Sequence, residues 1–486
     1  MSRTAVAILL VVLTACVRMH PFLEGNDDGD VGAYVLGARA LLHGALPYTT
    51  VWEYKPPGLF ALYALALAVA VDGSRAAALL GLLAACATSL LLWRLVARTI
   101  PDGERAGIVA AVLYACCSIE NDGLLGDAEL LIAPFAAGSL LALAGRPNAS
   151  RAALAGLLAA AAVQMKLSAA PFAVVAVLVA LRAGGWRALA PFAAAFAAPY
   201  ALEALLYALA HRFGELWDAN VGATLRRIAS RGATSAAPRP FAVELRMLAP
   251  ALELAPFAAL RSAGWVGVFT LWLAADVLAL VAVGEYDLRQ FLPLVAPLAA
   301  LGGIGADALA RRVRFGAAVP VLACLLAFGL HGYFEVNSSL RIAWMRDVRG
   351  VHDWRISEVD RIIARLHGVP LARDGAWFME ITPLAYDRLG VAPPTKYPLT
   401  SNLLNRALWP MLGLSGAGEL ARIVDCARPR WIVARTCGPW CDPQTRDATL
   451  ARIRARYTPA EKLDARTTLY VRNDAVPARC PAGLAR

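Results

Sequence analysis

Apolar runs of about 15 to 22 residues recur from residue 4 to about residue 334, each long enough to cross a hydrocarbon core of roughly 30 Å as a helix. They centre near 4–22, 75–96, 106–119, 129–145, 152–168, 170–183, 188–209, 247–261, 264–283, 290–309 and 316–334. The pattern predicts a polytopic α-helical membrane protein with about 11 spans. One further apolar stretch, Pro57–Val71 (PGLFALYALALAVAV), is short for a span and is predicted to be an interfacial or re-entrant helix. From residue 335 the pattern changes. Polar and apolar positions alternate, Pro393-Pro394 interrupts the chain, and GELARIVDCARPRWIVAR reads as helix then strand. Residues 335–486 therefore read as a soluble α/β domain, and residues 1–334 as the membrane domain.

Charge orients this map. Basic residues gather at Arg94–Arg105, Arg146–Arg151, Arg182–Arg187, Arg261 and Arg311–Arg314, and such clusters mark cytoplasmic loops. The segments 24–74, 120–129 and 211–245 then face the opposite compartment, as does the carboxy-terminal domain. Treating Pro57–Val71 as a span would reverse the Arg94–Arg105 loop, which is why it is read as non-spanning. The chain of 486 residues is 59% hydrophobic and only 17% charged, which excludes an ordinary soluble protein. Its net charge of +11 is accounted for by the basic loops, so no nucleic-acid partner is implied. These features place the chain in a membrane, with the carboxy-terminal domain on the extracytoplasmic side.

The amino terminus carries a lipobox-like Leu13-Thr14-Ala15-Cys16, but the many spans that follow favour a first transmembrane helix over a lipoprotein signal. Cys86, Cys116, Cys117 and Cys324 lie in apolar runs and read as packing residues. Cys426, Cys437, Cys441 and Cys480 form an even set in the outer domain that suits two disulfides in an oxidising compartment. Zinc is the weaker reading, because the Cys437/Cys441 spacing has no second matched pair. Gly416-Ala-Gly418 resembles half a dinucleotide fingerprint, yet no strand precedes it and no acidic residue follows at the required distance.

The chemistry concentrates early. Asp30 opens a stretch containing Tyr34, Gly37, Arg39 and Gly44, followed by Pro47-Tyr48 and Trp52-Glu53-Tyr54-Lys55-Pro56-Pro57-Gly58. Carboxylates held beside a bilayer are costly and point to function. The bland reading of Asp30 is a helix-capping residue. Lys55 precedes a rigid Pro-Pro turn, where an ammonium suits a lipid phosphate; interfacial snorkelling is its alternative. A second acidic loop, Glu120-Asn121-Asp122-Gly-Leu-Leu-Gly-Asp127-Ala-Glu129, precedes an apolar helix, where helix-dipole stabilisation is the plain account.

The ordered set from Asp30 to the KPP turn resembles the first external loop of glycosyltransferase-C superfamily enzymes that use polyprenyl-phosphate sugars. These include bacterial enzymes of the dolichyl-phosphate-mannose protein mannosyltransferase type and the aminoarabinose transferases. The resemblance covers the whole plan, from early acidic loop through many spans to an external domain. It implies an inverting transfer from a lipid-linked sugar donor to a glycan, lipid or protein acceptor. It assigns Asp30 the role of general base, which one carboxylate suffices to fill because phosphate is a good leaving group. Glu129 and Glu53 become accessory carboxylates, with Tyr34 and Tyr48 beside the substrate. Glu129 would orient the acceptor or share a divalent metal with Asp30; metal dependence stays open. Lys55, Lys166 and Arg289 are assigned to the lipid phosphate, with Arg226 and Arg227 as further candidates.

Three alternatives stand beside this reading. A polysaccharide polymerase or ligase shares lipid-linked substrates but usually carries its essential loop late in the chain. A transporter would place ionisable groups in mid-helix within inverted repeats, which this sequence does not display. A non-enzymatic scaffold on the same fold is the third.

Overall fold

A computed structural model describes residues 2–25, 28–70, 72–119, 123–230, 245–261, 264–284, 286, 288–351, 357–438 and 440–474. Several positions named above lie outside the described residues: Glu120, Asn121, Asp122, Cys480 and residues 231–244 of the 211–245 segment. The chain packs as two compact units. One comprises Met1–Glu24, Ala77–Leu206 and Pro238–Arg355; the other comprises Gly25–Ala76, Tyr207–Ala237 and Ile356–Arg486.

The first unit is helical. Among the described residues, six helices are long and apolar enough to cross a membrane: Gly73–Thr99, Leu167–Gly184, Trp186–Leu209, Gly264–Val283, Leu288–Ala310 and Ala318–Val348. Shorter apolar helices occupy Arg3–Cys16, Ala128–Leu143, Ala149–Met165 and Ala251–Leu260, and Glu104–Cys117 forms another helix. Each predicted span thus coincides with a helix, although several are shorter than the 20 or so residues a perpendicular crossing takes.

Lipid offers helices little hydrophobic drive to associate, so small residues that permit close approach set the packing. A Cβ on Gly303 would lie 2.4 Å from the Ala106 carbonyl, which lets Leu292–Ala310 press against Glu104–Cys117. At the end of that helix Asp307 is buried and gathers three of the basic residues that define the predicted cytoplasmic loops. Arg105 pairs with it at 2.7 Å, Arg311 at 2.9 Å and Arg261 at 3.8 Å.

The last helix runs through the compositional boundary at residue 335. Its extension is polar but still helical to Val348, because Ser338, Ser339 and Ile342 are buried and Glu335 pairs with His20 at 3.0 Å. Alternation of polar and apolar residues marked a domain change there, whereas helical spacing of the buried positions carries the helix onward.

The second unit is built on a four-stranded sheet. Its strands are β1 (Ala376–Met379), β2 (Trp431–Arg435), β3 (Tyr457–Lys462) and β4 (Thr467–Arg472), in the order β1-β2-β4-β3. Strand β1 runs parallel to β2; the other pairings are antiparallel. The predicted helix-then-strand segment is observed as helix Gly416–Arg422, a π-helical turn, then β2. Gly416-Ala-Gly418 there serves packing and capping: Ser415 accepts a hydrogen bond from the Gly418 amide, and a Cβ on Gly416 would strike the Leu403 carbonyl.

Side chains alternate across this sheet with the period of two that strands impose. Trp377, Met379, Ile432, Ala434 and Tyr470 form a core with Trp52, while Ala376, Phe378, Val433 and Leu469 form the opposite core with Leu36 and Val51. The early loop therefore supplies apolar residues to both faces. Its helix Gly29–Leu42 lies against Leu384–Leu389, where a Cβ on Gly32 would come within 2.7 Å of the Leu384 amide nitrogen. Gly32→Ala is expected to cost about 1–3 kcal/mol by overpacking and to lower the melting temperature of the purified protein. An unchanged melting temperature would mean this helix packs elsewhere.

Candidate active site

The second unit brings together most of the early motif. Asp28 caps helix Gly29–Leu42, its carboxylate accepting a hydrogen bond from the Val31 amide at 2.9 Å. The capping role considered for Asp30 thus belongs to its neighbour, and Asp30 sits half-buried in the first turn. Tyr34, four residues later on the same helix face, is fully buried.

The helix is held from two sides. Thr382 donates to the Asp28 carbonyl at 2.8 Å. Asp387 accepts from Arg39 at 2.7 Å and from the Gly73 amide at 3.1 Å.

The Trp52–Gly58 segment is pinned as firmly. Trp52 donates its amide to the Lys396 carbonyl at 2.6 Å and packs on Tyr397 with ring centroids 5.6 Å apart. Tyr48 adopts a left-handed backbone (φ 72°), a conformation that non-glycine residues hold only where the surroundings enforce it. Its hydroxyl donates to the Lys55 carbonyl at 2.7 Å and accepts from Asn220 at 3.0 Å. Tyr207 donates to the Pro47 carbonyl at 3.0 Å.

Glu53 and Lys55 form an ion pair at 3.3 Å, and both are buried, at 1% and 2% exposure. The Lys55 ammonium lies 4.0 Å from the Tyr54 ring centroid and 5.2 Å from that of Tyr34, a cation–π enclosure. Burial here removes the snorkelling alternative. It also directs the ammonium to Glu53 and two aromatic faces, where the sequence suggested an open phosphate contact. Burial pushes the Glu53 carboxyl above its ordinary range. The Lys55 charge opposes that rise and the Asp30 charge adds to it. Asp30 and Glu53 are thus electrostatic neighbours. Arg227 stacks on Tyr54 at 4.9 Å, while Arg226 is committed to Asp218 at 2.6 Å and to the Pro410 carbonyl at 3.0 Å.

The first unit holds a second constellation. Helix Ala149–Met165 ends at Lys166, whose extended backbone (φ −159°, ψ 135°) turns the chain into a short 3₁₀ segment. Its ammonium donates to Glu129, in the first turn of Ala128–Leu143, and to the Gln290 side-chain oxygen at 2.9 Å. The Gln290 amide donates in turn to Glu129 at 3.4 Å. Glu129 is 4% exposed, so this is a buried, hydrogen-bonded pair. Beside it in sequence, Asp127 is buried and lies 3.7 Å from Arg289, whose side chain keeps 27% of its exposure.

Sequence reading missed Asn220, Tyr207, Gln290 and Asp127 as working parts. Asp127 was named within the second acidic loop but given no role of its own, and Gln290 follows the named Arg289; Asn220 and Tyr207 carry no signal apart from their tertiary contacts.

Among the described residues, the grouping of His, Cys, Asp and Glu with metal-ligand spacing is Glu380, Cys437 and Cys441. Its two cysteines are joined in a disulfide, and Cys426 is also disulfide-bonded. This supports the disulfide reading of the outer domain over zinc.

A search of curated proteins finds no match. The family described as dolichyl-phosphate-mannose-protein mannosyltransferase matches residues 54–211, about a third of the chain. ArnT from Cupriavidus metallidurans, solved with undecaprenyl phosphate, superposes with a TM-score of 0.59 at 13% identity over 97% of each chain. Its apo form gives 0.56 at 14% identity over 96% of each. The archaeal oligosaccharyltransferase AglB from Archaeoglobus fulgidus, in complex with an inhibitory peptide and a dolichol-phosphate, gives 0.55 at 12% identity, covering 99% of this chain and 76% of that one. The chain has the fold of the membrane glycosyltransferases of the glycosyltransferase-C type.

Proposed function

We propose that this protein transfers a sugar from a polyprenyl-phosphate carrier to a hydroxyl or amine acceptor at the extracytoplasmic face of the membrane. Asp30 takes the acceptor proton as the acceptor attacks the anomeric carbon. The bond from that carbon to the phosphate oxygen breaks, and the polyprenyl phosphate leaves with inversion at the sugar. Glu53 and Lys55 set the charge around Asp30. Tyr34 and Tyr48 shape the wall beside it. Lys166 and Arg289 stabilise phosphate charge, and Glu129 holds the Lys166 ammonium in place.

The observation that carries this reading is the placement of Asp30. It is half-buried, relieved of capping duty by Asp28, and electrostatically coupled to a buried Glu53–Lys55 pair on a rigid aromatic frame. Such a frame fits a general base, which must be held in place beside the reacting group. The neighbours solved with polyprenyl or dolichyl phosphate lend the donor class its support.

The test is transfer from a panel of radiolabelled polyprenyl-phosphate sugars by the purified protein in proteoliposomes, with envelope glycans, lipids and peptides as acceptors. Label is expected to pass from at least one donor. A folded, reconstituted protein inert toward the whole panel would refute the reading.

A further inference from the structure

Helix Gly264–Val283 departs from the expectation that charges gather at helix ends: it carries one carboxylate in mid-helix, Asp276, which is 5% exposed. An ionisable side chain at that depth is costly and calls for a use. Three other buried or half-buried carboxylates of the same unit are matched with donors. Asp307 has three arginines, Glu203 accepts from Gln164 at 2.8 Å, and Glu129 holds Lys166.

Asp276 is matched only in part. The Trp272 indole, one turn earlier, hydrogen-bonds to it, and Trp272 is itself fixed against Phe172 with ring centroids 5.5 Å apart. The carboxylate's Oδ2 is buried and meets no hydrogen-bond partner among the described residues.

That side chain lines a small cavity. Ser168 and Gln290 contribute its other polar groups, and apolar side chains such as Ile132 and Pro293 close it. About 10 Å³ is open to a water centre, which is room for one water and far too little for a sugar ring. Gln290 is the residue that accepts from Lys166 and donates to Glu129. Its orientation matters, because a flipped amide would turn two N–H groups toward the Lys166 ammonium.

We propose that Asp276 binds one buried water together with Ser168 and Gln290, and so acts as a positioning residue for the Lys166–Glu129 pair. The water donates to the vacant Asp276 oxygen, and its remaining hydrogen bonds hold the Gln290 amide in the orientation that accepts from Lys166. Asp276 thereby acts on phosphate binding through two intermediaries and touches neither donor nor acceptor. The proposal rests on the assignment of Lys166 to the carrier phosphate.

Three measurements test it. A cryo-electron-microscopy map that resolves ordered waters is expected to show one between Asp276, Ser168 and Gln290; an empty cavity overturns the proposal. Affinity for undecaprenyl phosphate, measured without any transfer reaction, is expected to fall by about tenfold in Asp276→Leu. Asp276→Asn, which keeps an acceptor oxygen and the side chain's size, is expected to stay within about twofold of wild type. A folded Asp276→Leu protein with wild-type affinity overturns the proposal, as does equal loss in both variants, which would indicate a requirement for charge. Where Asp276→Leu does not fold, the map and the Asp276→Asn affinity decide. Because neither readout needs turnover, phosphate binding without transfer would refute the proposed activity and leave this inference standing.

Discussion

Asp30→Asn is expected to lower sugar transfer by more than about a hundredfold while the protein stays folded, the scale on which a positioned general base contributes. The amide keeps the carboxylate's size and loses its basicity together with its charge. Helix Gly29–Leu42 keeps its cap, because the Val31 amide is held by Asp28, so an activity loss is not attributable to a frayed helix. Kinetics of the proteoliposome assay measure the effect. Retention of transfer within about tenfold would move the base elsewhere, with Glu53 the next carboxylate to replace.

The same substitution has an electrostatic signature. Burial raises the Glu53 carboxyl and the Asp30 charge raises it further, against the pull of Lys55. A carboxyl raised on folding favours the folded state at low pH, and that contribution is lost as pH rises through its folded value. Removing the Asp30 charge lowers that value. The mutant is therefore expected to gain stability over wild type on the alkaline side of the Glu53 titration, visible as a flatter dependence of melting temperature on pH.

Lys166→Met is expected to destabilise the protein by about 3–5 kcal/mol, because it strands the Glu129 carboxylate in a buried site. The double variant Lys166→Met/Glu129→Leu removes both charges and is expected to recover most of that stability, since an apolar pair of similar volume can replace a buried ion pair. Transfer is expected to remain more than about a hundredfold down in the double variant, on the scale of a lost electrostatic stabiliser. Thermal denaturation and transfer rates on all four proteins separate the two effects. A double variant that regains both stability and transfer would make the pair a structural element only.

The membrane helices were legible in the sequence because their signal is local. A helix satisfies its own backbone hydrogen bonds, so length and hydropathy suffice to find it in lipid. The 57–67 helix was legible as a helix for the same reason, and at about 16 Å it is shorter than a perpendicular crossing takes. Asp30, Glu53 and Lys55 stood out because ionisable groups are rare in such a chain and because they fall in a recognisable order. Hidden from view were relations that exist only after folding. Nothing in the string says that Asp28 and not Asp30 takes the cap, that Lys55 is walled in by Tyr34 and Tyr54, or that Asn220 reaches Tyr48. The partition at residue 335 followed composition. Packing follows the sheet, which draws Leu36, Val51 and Trp52 into the same unit as Phe378 and Ile432.

That sheet imposes an order on biogenesis. Residues 25–76 leave the ribosome early, yet the surfaces that receive Trp52, Leu36 and Val51 are complete only when β4 has been made. At 5–20 residues per second the interval between the Pro56-Pro57 turn and Arg472 is roughly 20–80 s. During that time the acidic loop is a tethered, unfinished strand of chain with exposed aromatic residues, a substrate for chaperones and proteases. A ribosome that stops before residue 430 leaves a polypeptide with its membrane helices inserted and no means of assembling the Asp30–Glu53–Lys55 frame.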